Sequence, residues 1–265
     1  MEYDSVKHSL NSVLRNTFLR KCFYVLLDGL LLRAWHIKKE LRGLKKSLPA
    51  NASVLDAGAG FGQYVYYMSR LGRKWRIKAV DVKAGQVADC NRFFEPENGR
   101  VRFETADLTV FCEPDAYHLV LSVDVMEHIA DDEAVFANIC RSLKKGGTLL
   151  ISTPSDKGGS DADEHHGSFI DEHVRNGYNI ADIQDKLKRA GFSHTDASYT
   201  YGTAGHIAWL LCMKFPLLLL HVSKLFFLLL PLYYLIVFPL CVPLNLADVY
   251  CRKPAGTGLK VKAVK

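Results

Sequence analysis

The sequence has no cysteine pair at metal-ligand spacing. Its seven cysteines (Cys22, Cys90, Cys112, Cys140, Cys212, Cys241 and Cys251) form no C-x-x-C. Neither a zinc knuckle nor a dithiol redox motif is indicated, and scattered thiols fit a reducing compartment. There is no internal repeat and no long low-complexity tract. No secretory leader is legible either. The apolar run at 22–32 begins late, contains Asp28 and lacks a small-residue cleavage site. One stretch lacks charge altogether: LFFLLLPLYYLIVFPLCVPL, from Leu225 to Leu244, with Pro231, Pro239 and Pro243 inside it. About twenty apolar residues suffice to cross a bilayer's hydrocarbon core. A charged, soluble-looking middle carries this segment near its end.

The formal net charge of the 265 residues is +6, and it is unevenly spread. Residues 1–50 hold ten Lys or Arg against four Asp or Glu. Residues 206–265 hold seven against one, and the middle holds seventeen against twenty-three. The basic charge therefore sits at the two ends, beside the two most apolar regions. That pairing points to an anionic membrane surface as partner rather than to nucleic acid. Solvated helix faces are the plainer alternative.

The middle carries the chemistry. In SVLDAGAGFGQY, residues 53–64, a short apolar strand meets Asp56 and then Gly58, Gly60 and Gly62 at alternate positions. The segment 64–71 reads as a helix. Strand, glycine turn and helix start make a nucleotide-binding unit, because glycine lets the backbone turn and a ligand approach. RIKAVDVK then ends a strand on Asp81, where a carboxylate can accept from both hydroxyls of a ribose. VRFETADL reads as a third strand ending in Asp107. YHLVLSVDVMEHI reads as a fourth, followed by Asp124, Glu127 and His128, and GGTLLISTPS as a fifth. Short apolar runs separated by helical segments imply a parallel sheet covered on both faces. Ligands of such sheets lie at the carboxyl ends of the strands, and all these acids fall there.

Taken together, VLDAGAGFG, AVDVK, TADL and LVLSVDVMEHI resemble the motifs of class I S-adenosylmethionine-dependent methyltransferases, over roughly residues 50–200 plus the last strand. DVMEHI resembles the ubiquinone-biosynthesis O-methyltransferase-like group. The resemblance implies an α/β fold: a Rossmann-like seven-stranded methyltransferase sheet with helices on both faces. It also implies S-adenosylmethionine as donor. Gly58, Ala59, Gly60 and Gly62 would form the loop under the donor, with Asp56 supporting it. Asp81, beside Val82, would hold the ribose. Asp107 and the backbone of Leu108 would face the adenine, and Ser122 would lie on the strand beneath. A nicotinamide dehydrogenase is the competing use of the first motif, but nothing here supplies a hydride-transfer site.

Three side chains are candidates for catalysis: His128, His173 and Glu127. Histidine titrates near neutral pH and suits removal of a proton from an oxygen nucleophile. With a helix starting near Val125, Asp124, Glu127 and His128 could gather to bind a divalent cation; the alternative is an Asp124 cap with Glu127 returning the bond. The loop 155–172, rich in Gly, Asp and His, reads as a lid, and its cluster Asp161, Asp163, Glu164, His165 and His166 as a solvated polar loop or, less simply, a metal site.

The expected organisation has four parts. The resemblance implies that residues 1–50 form N-terminal helices on the acceptor side; with Arg15, Arg20, Lys21, Arg33, Lys38 and Lys39 as basic flanks, they are also expected to contact the membrane. Residues 51–205 form the donor-binding core. Residues 206–247 are an apolar insertion between the sixth strand, SHTDASYTY, and the seventh, GLKVKAVK, within 248–265. Paired strands return both ends of the insertion to one side of a membrane, so it makes two passes or none. His221, Ser223 and Lys224 interrupt it, which favours a monotopic anchor at the cytoplasmic face. Lys214, Lys224, Arg252 and Lys253 could reach lipid phosphates, and Trp209, Tyr233 and Tyr234 suit the interface. The alternative is a helical cap buried in a dimer. The expected activity is O-methylation of a lipid-soluble acceptor. A carbon or nitrogen acceptor, or a drifted donor-binding membrane scaffold, are the alternatives.

Overall fold

The computed structural model describes residues 16–158 and 174–265. Two helices come first, α1 (Thr17–Leu30) and α2 (Leu32–Leu44). Asn16 caps α1 by accepting from the amides of Phe18 and Leu19. Then strands and helices alternate: β1 (Ser53–Ala57), α3 (Gln63–Leu71), β2 (Arg76–Asp81), α4 (Ala84–Phe94), β3 (Val101–Thr105), β4 (Tyr117–Val123), α5 (Asp132–Ser142), β5 (Leu143–Pro154), α6 (Ile180–Arg189) and β6 (His194–Thr200). Three more helices, α7 (Thr203–Trp209), α8 (Phe215–Val222) and α9 (Leu230–Tyr250), precede β7 (Gly258–Val264).

The seven strands form one sheet in the order β3-β2-β1-β4-β5-β7-β6. All pairs are parallel except those of β7, which runs antiparallel to β5 and β6. Strand residues alternate between two apolar cores. Leu55, Val120, Leu149 and Val261 pack with α5 and α6 on one face. Val54, Leu119, Leu121 and Leu150 pack with α2, α3 and α4 on the other. Burial on both faces is why these strands read as unbroken apolar runs. The reversal of strand order falls between β1 and β4, and a crevice at the carboxyl ends of the strands is expected there.

The apolar insertion between β6 and β7 is a helical hairpin. Its two arms, Thr203–Val222 and Leu225–Tyr250, are long and apolar enough to cross a membrane, and Ser223 breaks them with an extended conformation. Leu210–Lys214 is a π-turn, in which Phe215 bonds back to Leu210. Pro216 cannot donate. The carbonyls of Leu211 and Cys212 therefore lose their helical partners. Tyr233 and Tyr234 on the other arm donate to them, at 2.6 and 2.8 Å. These two tyrosines cross-link the arms. The hairpin's own core is small: Ala208, Cys212 and Cys241, with Leu30 of α1 against it. Beyond it, the tip is almost all exposed hydrophobics, including Leu217, Val222, Leu225, Phe227, Leu228, Leu235 and Ile236.

Four of the basic residues expected near the membrane are engaged elsewhere. Arg20 is 1% exposed and donates to Tyr24, to the carbonyls of Asp89 and Phe61, and to Cys90. Lys38 pairs with Asp28, and Lys39 donates to the Val249 carbonyl. Lys253 holds Asp248 and the Cys251 carbonyl. A long cation next to unfilled carbonyls and a buried carboxylate satisfies them in preference to reaching outward.

Asp248 is the joint between hairpin and core. It is 1% exposed. Its carboxylate lies 2.8 Å from His36 Nε2 on α2 and accepts from the amides of Tyr201, Gly202 and Gly205. Burial holds His36 below its ordinary value despite the carboxylate, so the ring is neutral and the compensating charge is Lys253, at 3.2 Å.

Candidate active site

A cleft of about 780 Å³ opens where the order of strands reverses, within the size range of ligand pockets. Gly58, Ala59 and Gly60 form its floor. The amides of Gly58 and Ala59 donate to the Val80 carbonyl, fixing the loop across β2. Gly58 has φ +85°, and a Cβ there would meet Val125 at 2.2 Å. Gly60 has φ +51°, and a Cβ would meet nothing. The first glycine is required by packing and backbone; the second leaves open space for a ligand. Gly62 caps α3 in the left-handed region beside Phe103 and does not line the cleft.

Asp81 turns into the cleft at the end of β2. Oδ2 accepts from the Gly60 amide at 2.8 Å and Oδ1 from the Lys83 amide at 2.9 Å. Each oxygen retains a lone pair, so a diol beside Val82 can donate to both. Asp107 lies just past β3. The amide and hydroxyl of Thr109 both bond its Oδ1 and hold its carboxyl below the usual range. Leu108 lines the same end of the cleft. Replacing Asp81 with alanine removes a doubly bonded carboxylate. The expected loss of donor affinity is about 1.5–3 kcal/mol, tenfold or more, read by calorimetry. Equal affinity for parent and variant would overturn this role for Asp81.

Besides Gly62, three candidates do not line the cleft. Asp56 lies beneath the glycine loop, 2% exposed, with Oδ2 unpartnered. Burial, and then Asp81, push its carboxyl up to about 8. Ser122 is fully buried, on the same strand face as Val120, and its hydroxyl has no partner; Val123 lines the cleft instead. Glu127 is 1% exposed and accepts from Thr153 at 3.1 Å. Burial, and then Asp124, push it up to about 7. His173, with the loop cluster Asp161–His166, lies outside the described residues.

The DVMEHI segment forms a 3-10 turn, Met126–His128, not the start of an α-helix. Asp124 therefore caps nothing. It adopts φ +52° and pairs with Arg33 at 2.6 Å. That turn sends Glu127 inward and leaves His128 on the cleft wall. Among the described residues no three His, Cys, Asp or Glu side chains are grouped to hold a metal ion.

Arg33, one of the basic flanks of the N-terminal helices, sits in the cleft. The break between α1 and α2 at Leu31 swings it there, and Tyr64 stands beside it. Burial raises the Tyr64 phenol well above its usual range, so it is neutral. No local pattern marks Arg33, because only packing of α2 on the sheet brings it to Asp124.

Residues 54–147 match the family model described as a methyltransferase domain. Phosphoethanolamine N-methyltransferase 1 of Zea mays is 30% identical over 158 residues, 58% of this chain and 30% of that protein. The mitochondrial ubiquinone biosynthesis O-methyltransferase of Homo sapiens is 32% identical over 104 residues, 38% of this chain and 28% of that protein. The chain thus spans less than a third of the length of these curated relatives. Among solved structures, Haemonchus contortus phosphoethanolamine N-methyltransferase 2, in complex with S-adenosyl-L-methionine, superposes with TM-score 0.61 at 19% identity, over 87% of this chain and 52% of that one. A sarcosine dimethylglycine methyltransferase from Galdieria sulphuraria gives 0.56 at 16%, over 87% and 84%. Residues 54–147 thus match a methyltransferase domain, and the seven-stranded Rossmann-like sheet around them has the fold of solved S-adenosylmethionine-dependent methyltransferases.

Proposed function

We propose that this protein transfers a methyl group from S-adenosylmethionine to a hydroxyl on a membrane-borne amphiphile, at the cytoplasmic face. One observation carries the membrane half of this reading. The apolar hairpin is rooted through Asp248 on His36 of α2, the helix whose Arg33 lines the cleft. The open space over Gly60 and the free lone pairs of Asp81 fit the donor. Asp81 would hold its ribose, Asp107 and Leu108 its base, and Gly58–Gly60 the amino-acid end. When bound, it supplies a methyl group already activated by a positively charged sulfur.

Little more is asked of the protein than position and a proton sink. The ion pair of Arg33 with Asp124 fixes one wall of the cleft. His128, on that wall, takes the acceptor's hydroxyl proton on a ring nitrogen. A second reading is transfer to an amine, favoured by the phosphoethanolamine N-methyltransferases among the relatives. An unprotonated amine needs no base, so His128 separates the two. Full-chain protein is mixed with labelled donor and vesicles carrying a phenolic or an amino-headed lipid, and label in the lipid extract is counted. On the phenolic lipid, His128→Ala is expected to slow turnover about 10²–10⁴-fold. Label on the amino lipid alone, at parent rate in His128→Ala, would replace the hydroxyl reading. Donor binding with label on neither lipid would leave a donor-binding scaffold.

The anchor is monotopic in this proposal. Two full passes would set Lys214, midway along the first arm, near mid-bilayer, where a charge is costly. A shallow hairpin leaves Lys214 at the interface beside Trp209, 5.9 Å from its ring.

A further inference from the structure

A second, smaller cavity of about 170 Å³ lies between the hairpin base and the junction of α1 with α2. Leu31, Arg33, Tyr201, Trp209, Met213 and Asn245 are among its lining residues. Arg33 lines this cavity and the donor cleft alike, so the two adjoin at one residue.

Three features of the cavity are those of a binding site. Asn245 is 2% exposed and its Oδ1 has no hydrogen-bond partner. An unpaired buried carbonyl oxygen is costly unless something donates to it. The Tyr201 oxygen accepts from the Arg33 amide at 3.0 Å, which leaves its own proton to donate. Burial pushes that phenol up to about 12, so the proton is present. Tyr201 and Asp124, which grip Arg33 from two sides, have φ +56° and +52°. Non-glycine residues held in the left-handed region gather at ligand clamps.

We propose that this cavity is the acceptor's head-group subsite, and that it selects a small head bearing both a hydrogen-bond donor and an oxygen acceptor. The inference rests on the methyl-transfer reading above and names where the acceptor sits within it. Asn245 Oδ1 accepts a hydrogen bond from a hydroxyl or amine of the head. Tyr201 and Arg33 donate to its oxygen. Asp124 already balances the Arg33 charge, which favours a neutral or zwitterionic head over a bare dianion. A water occupies about 30 Å³ in the liquid, so the cavity takes about six non-hydrogen atoms: a head, not a tail. The tail lies along the exposed apolar arms of the hairpin, which begin at this wall.

Trp209 in the lining makes binding measurable without any turnover. The probe is a bromophenol carrying a short alkyl chain, whose heavy atom quenches indole fluorescence at contact. Full-chain protein in detergent is titrated with it. The expected result is saturable quenching that is absent in Trp209→Phe. Asn245→Ala should weaken the apparent affinity about three- to tenfold, the range of one hydrogen bond, with the donor affinity unchanged. Met213→Phe, at a half-exposed position of the wall, narrows the cavity without removing a polar group and should weaken binding too. Equal affinities in all three folded proteins, or linear unsaturable quenching, would overturn the subsite. Saturable, Asn245-dependent binding with no label transferred to any lipid would keep the subsite and overturn the methyl-transfer reading instead.

Discussion

Replacing Asp248 with alanine is expected to lower the unfolding free energy by about 3–5 kcal/mol, the usual cost of breaking a buried ion pair from one side. The carboxylate is 1% exposed and joins three stretches of chain. It accepts hydrogen bonds from the amides of Tyr201, Gly202 and Gly205 after β6 and from His36 on α2, and faces Lys253 before β7. Removing it strands three amides and a partly buried lysine at once. For a domain of this size the corresponding drop in Tm is about 6–20 °C, measurable by differential scanning calorimetry in detergent. Asp248→Asn keeps one acceptor oxygen and the shape, and should fall between parent and alanine. A loss under about 1 kcal/mol in Asp248→Ala would show that apolar packing alone holds the hairpin root.

Asp248 was not singled out in the sequence, and the reason is instructive. It is the one acid in residues 206–265, but its partners come from 36, 201, 202, 205 and 253. No spacing rule spans those separations. The lining of the cleft was legible for the opposite reason. Gly58, Gly60 and Asp81 act through the backbone of one strand-turn-helix unit and its neighbour, so their spacing is their geometry. Asp107 was legible because strand ends converge on one edge. Ser122 failed because side chains alternate along β4: Val123 faces the cleft and Ser122 is buried behind it. Glu127 failed because a 3-10 turn replaced the expected helix and aimed it at Thr153. Arg33 and Asn245 were invisible as site residues. One sits in a helix, the other in an apolar run, and both reach their places through the packing of α2 and α9 around Tyr201.

Deleting the hairpin tip should abolish membrane association and leave the donor site intact. The cut must respect the packing. A deletion of 207–246 would remove Ala208, Cys241 and Asn245, and uncover Leu30 of α1. Removing 214–240, with a Gly/Ser bridge from Met213 to Cys241, keeps Ala208, Cys212, Cys241 and the Asp248 joint and gives up the Tyr233 and Tyr234 cross-links with the arm they hold. What is lost is eleven large hydrophobics that are at least half exposed: Leu217, Leu218, Val222, Leu225, Phe227, Leu228, Leu229, Leu232, Leu235, Ile236 and Leu240. At about 1 kcal/mol each for partial burial in lipid, they contribute on the order of 10 kcal/mol, far more than the remaining basic residues at about 1 kcal/mol each near an anionic surface. The shortened protein should stay in the supernatant when vesicles are sedimented, bind the donor as the parent does, and fail to methylate a vesicle-borne acceptor. Sedimentation with vesicles as before would place the membrane contact elsewhere. Solubility of the intact chain without detergent, as a dimer, would make the hairpin a subunit cap. The depth of insertion follows from one further residue. Ser223→Cys at the tip, probed with a membrane-impermeant thiol reagent on sealed vesicles with protein added outside, should stay unlabelled from the lumen if the hairpin is shallow. Labelling from the lumen would mean that both arms cross, with Lys214 inside the bilayer.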